Sequence, residues 1–402
     1  MLKCNTLSQL SSVQDVAKSL ELYTRSLRRA FHKIPELSWK EEKTLTLIKE
    51  EIGKLAKKSC FATKLTETQG GIWVDLLVDP SLPWILFRSD TDGLPIEEAT
   101  NLSFSSEHKG VMHACGHDFH IAMLLASFKA ITLGAVIPKA NIRFVWQRAE
   151  ECGRNPSGGS LLVKNGVCDN IDFAYGLHIS STLDLNLFCS RQHLMMSNSS
   201  YIDFTISCSG GHVMRPDLGS NGISLMIDIL SHMKGFEKLF FGPEEPIAFV
   251  PSIATAGTTQ NIRPNSAHLC FAIRNFLTEQ KRTAFIKAVR QKIETIVSLY
   301  STAKLSSFDF YPGYPALYND PNNYFFVEDA LHEQGFQTAP LPPLFSGEDF
   351  AYYLQEVPGS FWCLGAKQGE CFDHHTPQFN PSEASLPQGT AFWLTLAQKS
   401  PA

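Results

Sequence analysis

The heptapeptide Met112–Asp118, MHACGHD, brings a thiol, two imidazoles and a carboxylate into seven residues. On a short turn the pair Cys115-x-His117 can aim both side chains at one ion, and thiolate with imidazole suits zinc and similar borderline metals. The other readings are a nucleophilic thiol with His117 as its base, or a small buried cysteine beside an ordinary histidine. Farther along, Glu150 and Glu151 are adjacent and follow the apolar run IRFVW. Just past a strand such neighbours can diverge, one carboxylate binding metal while the other stays free as a base. Metal-assisted hydrolysis needs that division. Taken alone, the pair would be a solvated acidic loop. His178 follows FAYGL, and Arg88 and Asp90 follow WILF. His374 and His375 lie in DHHTPQF near the carboxyl end, and either could close a metal site from that side.

These residues need elements that bring them together. The runs WILF, IRFVW, FAYGL and FWCLG read as strands buried on both faces, separated by helical stretches. That pattern predicts an α/β fold with a mainly parallel sheet covered by helices. In such sheets the ligand site lies beyond the carboxyl ends of the strands, where Asp90, Glu150, Glu151 and His178 fall. The segment from Val16 to Ala56 reads as two helices separated at Ile34-Pro35. IAMLLASFKAITLGAVI reads as a buried helix ended near Gly134, since Lys129 interrupts it and it is short for a membrane span.

The middle of the chain has a different rhythm. YIDFTISC alternates, a helix follows at about 221–233, and extended segments lie near IAFVPSIATAG and AHLCFAIRNF. Phe285, Val289, Ile293 and Val297 then recur every fourth residue before KLSSFDFYP. This β-α-β-β-α-β order predicts a ferredoxin-like α+β domain inserted in the larger one. The expected division is residues 194–312 for the insert, with 1–193 and 313–402 forming the rest.

At 402 residues two domains are expected. A net charge of −5 offers no basic field for nucleic acid. The segment MLKCNTLSQLSSVQD has polar residues where a signal peptide needs an apolar core, and the ten scattered cysteines form no C-x-x-C pair. A cytoplasmic protein with reduced thiols and no membrane or nucleic-acid partner is expected. G-x-S-x-G, G-x-x-x-x-G-K-[ST], H-E-x-x-H and G-x-G-x-x-G are all missing. A cysteine nucleophile would leave the acidic pair and the other histidines without a common purpose.

The chain resembles the hippurate hydrolase and aminoacylase-type amidohydrolases, with N-acetyldiaminopimelate deacetylase and the plant auxin-conjugate hydrolases among them. The resemblance runs through RRAFHKIPELSWKEEKT, FRSDTDGLPIEEATNLSF, GVMHACGHDFHIAMLL, QRAEE, GLH, GGHVMRP, QNIRPNSAHL, SGEDF, VPGSFWCLG and HHTPQF. It implies two divalent metal ions per subunit (zinc, manganese, cobalt or nickel) held by Cys115, His117, Glu151, His178 and His375. His375 rather than His374 fits the closing motif His-x-Pro-x-Phe. Glu150 matches the family's general base, and Asp90 a carboxylate that orients metal-binding residues, with Asp118 and Glu348 as further supports. The insert is then a lid and dimerisation domain, from which His212 reaches a neighbouring subunit's site to steady the oxyanion. Asn261 and Arg274 match positions that hold the substrate carboxylate.

The activity this implies is hydrolysis of N-acyl amino acids by a homodimer. Dipeptidase or carboxypeptidase-type cleavage of amino-acid conjugates, or an inactive conjugate-binding relative, are the alternatives. Departures from the family pattern are Arg148 in place of proline, Phe119 in place of glycine, Met195-Met196 at the insert's entry, and bulky Val213 and Met214 beside His212. They bear on substrate choice and lid position.

Overall fold

Strands with long buried runs and strands with alternating burial fall into two separate sheets. The computed structural model of the chain describes residues 12–153, 155–242 and 244–399. The amino-terminal stretch read as lacking an apolar core lies, up to residue 11, outside the described residues, as does Cys4. The other nine cysteines are free. No helix among the described residues is long and apolar enough to cross a membrane.

The larger sheet has eight strands in the order Ala62–Thr68, Gly71–Leu77, Asn141–Gln147, Trp84–Asp90, Phe173–Ser180, Gly359–Gly365, Phe188–Ser190 and Thr338–Pro340. Its central four run parallel, so their carboxyl ends share one edge. All four apolar runs of the sequence are in this quartet. The flanking hairpin of Ala62–Thr68 with Gly71–Leu77 is antiparallel, and its polar outer strand gave no apolar run to read. Against the sheet lies helix His117–Thr132, buried on nearly every side between the sheet and helices Glu21–Lys33 and Leu386–Gln398. This explains its uniform apolarity without a membrane.

The amino-terminal helical region corrects the sequence reading. It holds three helices, Val13–Ser19, Glu21–Lys33 and Glu42–Ala56. The additional break is at Leu20, whose backbone leaves the helical region at φ −94° and ψ 0°. Neither proline nor glycine marks it, so periodicity runs straight through.

The smaller sheet orders its strands Ile247–Ala256, Ser266–Asn275, Asn198–Ser207 and Lys304–Pro312, all antiparallel. Helices Gly222–Met233 and Glu279–Ser298 cover one face, giving the ferredoxin-like order within an α+β insert. Ile202, Phe204 and Ile206 alternate into its core, where Phe285, Val289, Ile293 and Val297 meet them. At the junction, His193–Met196 pairs antiparallel with Leu317–Asn319. Met195 and Met196 are buried in the larger unit's core with Leu317.

Candidate metal centre

The parallel strand ends and the start of one helix assemble the cluster. Gly116 caps helix His117–Thr132 with φ +93°, and a Cβ there would lie 2.2 Å from Ile179 Cγ2. Only glycine accepts both the backbone and the contact, so the turn of Cys115 is pressed onto the strand carrying His178. Cys115 Sγ lies 3.4 Å from His178 Nε2. His178 Nδ1 donates to the Ile179 carbonyl at 2.6 Å, which leaves the Nε2 lone pair facing the thiol. The His375 amide donates to the Ala114 carbonyl at 2.9 Å, tying the carboxyl-terminal loop to the same turn. His375 Nε2 reaches to 3.1 Å from Glu151 Oε1. His374 packs its ring 4.9 Å from that of Phe379 and 5.3 Å from that of His178, and it is in none of the converging donor groups among the described residues.

His117 is held on its other side by a residue the sequence reading passed over. Its Nδ1 lies 3.2 Å from Asp92 Oδ1 and 3.7 Å from Asp90 Oδ1. Asp92 Oδ2 also accepts from Ser38 Oγ at 2.7 Å and from the Glu151 amide at 2.9 Å. Asp90 makes its close contact with His120, at 2.6 Å from Nδ1, while His120 Nε2 accepts the Ile179 amide at 2.9 Å. Asp90 therefore steadies the strand beside His178, and Asp92 stands behind His117. The Asp-x-Asp spacing on an extended chain, which puts both on one side, was the available signal.

The donor atoms suit a cation. Cys115, His117 and His178 converge within 4.8 Å, as do Cys115, Glu151 and His375, and His117, Glu150 and Glu151. His117 Nε2 is buried without a hydrogen bond. Burial opposes the charged form of His117, but Asp90, Asp92 and Glu151 outweigh it and lift its pKa to about 10. Burial, then the charges of Glu151 and Glu150, hold the Cys115 thiol well above its usual range. Burial, then Glu348, Glu151 and Asp349, push Glu150 up in the same way. Buried negative charge contributes to all three shifts, on top of burial for Cys115 and Glu150 and against it for His117, and a divalent metal held by thiolate, imidazole and carboxylate donors would relieve it.

The turn that presents the acidic pair is braced from three directions. Ala149 adopts φ +50°, and its amide donates to Glu41 Oε1 at 2.7 Å. Glu41 Oε2 accepts from Arg148 Nε at 2.9 Å. The charge that Arg148 brings is thus paired away from the cluster. Tyr314 donates its hydroxyl to the Glu150 carbonyl and accepts the Gly153 amide at 2.8 Å. Behind Glu150, Arg88 pairs with Asp90 at 2.6 Å, Asp349 at 2.7 Å and Glu348 at 3.1 Å, all fully or nearly buried. Glu41 and Tyr314 were missed because they come from distant segments and meet the turn only in the fold, whereas Arg88 was read as a polar strand-end residue without its acidic partners Glu348 and Asp349. Asp118 faces away, pairing with Arg28 and His32 at 2.8 Å each. Phe119 is buried in the core against Arg28.

A cavity of about 870 Å³ opens from the cluster and is lined by Cys115, Glu150, Glu151, His178, His374 and His375. Arg274, Tyr201 and Ser199 reach it from the smaller sheet. Arg274 donates to the Tyr201 hydroxyl at 3.0 Å and to the Ile273 carbonyl at 3.1 Å. His212 and Asn261 do not line it. Both are exposed, His212 in the short strand Gly211–His212 that pairs with Ile262–Arg263 and Asn261 in the turn just before that partner, where the Val213 amide donates to the Asn261 carbonyl at 3.3 Å. Val213 and Met214 are exposed beside them.

The sequence profile of peptidase family M20/M25/M40 matches residues 86–399. An N-acetyl-L-cysteine deacetylase of Bacillus subtilis is 30% identical over 384 residues, covering 95% of this chain and 89% of its own. A thermostable carboxypeptidase of Saccharolobus solfataricus is 29% identical, covering 97% of this chain and 98% of its own. The crystal structure of a dinuclear metal-binding peptidase from Bacillus subtilis superposes with a TM-score of 0.78 at 26% identity, covering 94% of this chain and 98% of its own.

Proposed function

The chain belongs to peptidase family M20/M25/M40, a metal-binding hydrolase acting on amide bonds, and from that premise we propose that it cleaves N-acyl amino acids to a carboxylic acid and an amino acid. The observation that supports this most is the convergence of Cys115, the buried His117, Glu151, His178 and His375 beside Glu150, at the wall of a cavity that Arg274 also lines. In this reading the first five ligate two divalent ions, and zinc, manganese, cobalt or nickel would suit the mixed donors. Bound ions supply Lewis acidity, which acidifies water and polarises the scissile carbonyl. Glu150 accepts the attacking water's proton and passes it to the leaving amine. Asp92 orients His117, and Asp90 acts on His178 through His120. The planar guanidinium of Arg274 pairs with the substrate carboxylate.

His212 and Asn261 act in a second copy's cavity in this account, His212 as an oxyanion donor. Residues 194–312 then serve as lid and dimerisation domain for a catalytic domain of 1–193 and 313–402. Sedimentation should give a dimer, and a fully active monomer would remove both the dimer and the trans role of His212.

The deacetylase relatives favour N-acyl substrates, while the carboxypeptidase relative supports a second reading in which dipeptide-type conjugates are cleaved. A panel of N-acetyl, N-benzoyl and dipeptide substrates, offered to enzyme stripped of metal and then resupplied, tests both. Turnover of N-acyl substrates that returns only with metal is expected. Dipeptide turnover alone would favour the second reading, and turnover that ignores chelators would contradict both.

A further inference from the structure

The chain crosses between the two sheets twice, entering the smaller one at strand Asn198–Ser207 and leaving it after strand Lys304–Pro312. The two crossings are fastened to each other. The Ser199 amide donates to the Tyr314 carbonyl at 3.0 Å, the Gly313 amide to the Ser199 carbonyl at 2.8 Å, and the Tyr314 amide to Ser199 Oγ at 3.0 Å. A Cβ on Gly313 would lie 2.6 Å from both oxygens of Ser199, so only glycine lets the crossings close this far. On its other side Ser199 stands opposite Arg274 in the pairing of the two central strands, and the Tyr201 hydroxyl, two residues on, accepts from Arg274 at 3.0 Å. Tyr314 is 3% exposed, and its hydroxyl ends on the acidic turn. There it donates to the Glu150 carbonyl, accepts the Gly153 amide at 2.8 Å and lies 3.5 Å from Cys152 Sγ. One ribbon thus joins the cation of the smaller sheet to the backbone of Glu150. The turn has reason to depend on it, because Ala149 at φ +50° holds a conformation that non-glycine residues adopt at a cost. Of its supports, Glu41 precedes the larger sheet in the chain, whereas Tyr314 is bound to the strands that carry Arg274.

We propose that Tyr314 is a positioning residue whose hydroxyl carries the engagement of the substrate carboxylate by Arg274 to the Glu150 turn, so that the base is set for the attacking water when the amino-acid end of the substrate is held. The inference rests on the reading above, with Arg274 on the carboxylate and Glu150 as base. Misplacing a reacting group by about 1 Å costs roughly 10²-fold in rate, which sets the scale of the effect. Phenylalanine at position 314 keeps the ring in its packing against Tyr352 and deletes only the hydroxyl.

The test uses the metal-loaded full chain, the N-acyl amino acid that the wild type cleaves fastest, and a double-mutant cycle. Tyr314→Phe should lower kcat on the order of 10²-fold with KM changed by less than about threefold, while metal content and the thermal melt stay near those of the wild type. Arg274→Gln should lower kcat as well as raise KM. Adding Tyr314→Phe to it should cost less than about threefold more, because nothing is left to transmit. A tyrosine that merely braced the turn would make the two losses multiply. That result, or a Tyr314→Phe enzyme whose kcat is within about threefold of the wild type, overturns the inference and leaves the proposed function standing. Ser199→Ala loosens the ribbon without touching the hydroxyl, and it decides the matter if Tyr314→Phe does not fold or loses metal. Its loss in kcat should likewise vanish in the Arg274→Gln background, and losses that multiply there overturn the inference. Absence of wild-type turnover on every N-acyl amino acid overturns the proposed function and the inference together.

Discussion

Glu150→Gln is expected to lower kcat by about 10³-fold or more, within or beyond the 10²–10⁴ range of a positioned general base, while leaving metal content unchanged. Glutamine keeps the shape of the side chain but cannot take a proton. The turn itself is held through backbone groups, the Ala149 amide on Glu41 and the Glu150 carbonyl on Tyr314, so the substitution leaves its supports in place. Kinetics, metal stoichiometry and a thermal melt on the same preparation check this. Glu151→Gln provides the contrast, because its carboxylate faces His375 and His117 and its loss should release metal. A Glu150→Gln enzyme within tenfold of the wild type would assign the base elsewhere.

The largest effect on stability is expected from Arg88→Met. Arg88 is 2% exposed and is the shared partner of Asp90, Glu348 and Asp349, none of which exceeds 4% in side-chain exposure. Its Nε also donates to Gln147 Oε1 at 3.0 Å. Methionine fills much of the volume but leaves three buried carboxylates facing one another. Breaking a buried pair by removing one partner costs about 3–5 kcal/mol, and here one guanidinium serves several acids. A loss of that size in the unfolding free energy from denaturant titration is expected, with partial recovery in Arg88→Lys, which restores charge without the planar fork. A loss below about 1 kcal/mol would mean that the acids hold protons and do not need the guanidinium.

The sequence revealed most where local chemistry and global position agree. Four apolar runs announced the central parallel strands because strands buried on both faces have no polar alternation to obscure them. Cys115, His117, the pair Glu150-Glu151, His178 and the pair His374-His375 stood out because donor-type residues lay just past those runs or in short dense motifs, while the choice of Glu151 and His375 as ligands came from the resemblance. The ferredoxin-like insert was visible through alternation in YIDFTISC and the four-residue spacing of Phe285 to Val297.

What escaped is non-local. Glu41 and Ala149 are more than a hundred residues apart, and nothing in PELSWKEEKT says that one carboxylate there will hold the turn of the acidic pair. Arg88 reads as a polar residue at a strand end, and only the fold shows it buried among acids from two segments. Asp92 was passed over for Asp90 because the resemblance drew attention to one carboxylate, although the two share a face of the extended chain. Leu20 breaks a helix without a breaker. The apolar cavity lining by Leu183, Leu341 and Leu344 left no motif, because it comes from two separate loops.

The central claim is that Cys115 is a metal-ligating thiolate and not a nucleophile. The most direct test is to replace the native ions with cobalt(II) and record the absorption spectrum of the wild type and of Cys115→Ser. The account predicts near-ultraviolet thiolate-to-cobalt charge-transfer absorption that Cys115→Ser abolishes, together with protection of Cys115 from alkylation by bound metal. Cobalt uptake without that band, or a Cys115 thiol that alkylates equally fast with and without metal and takes activity with it, would contradict the account.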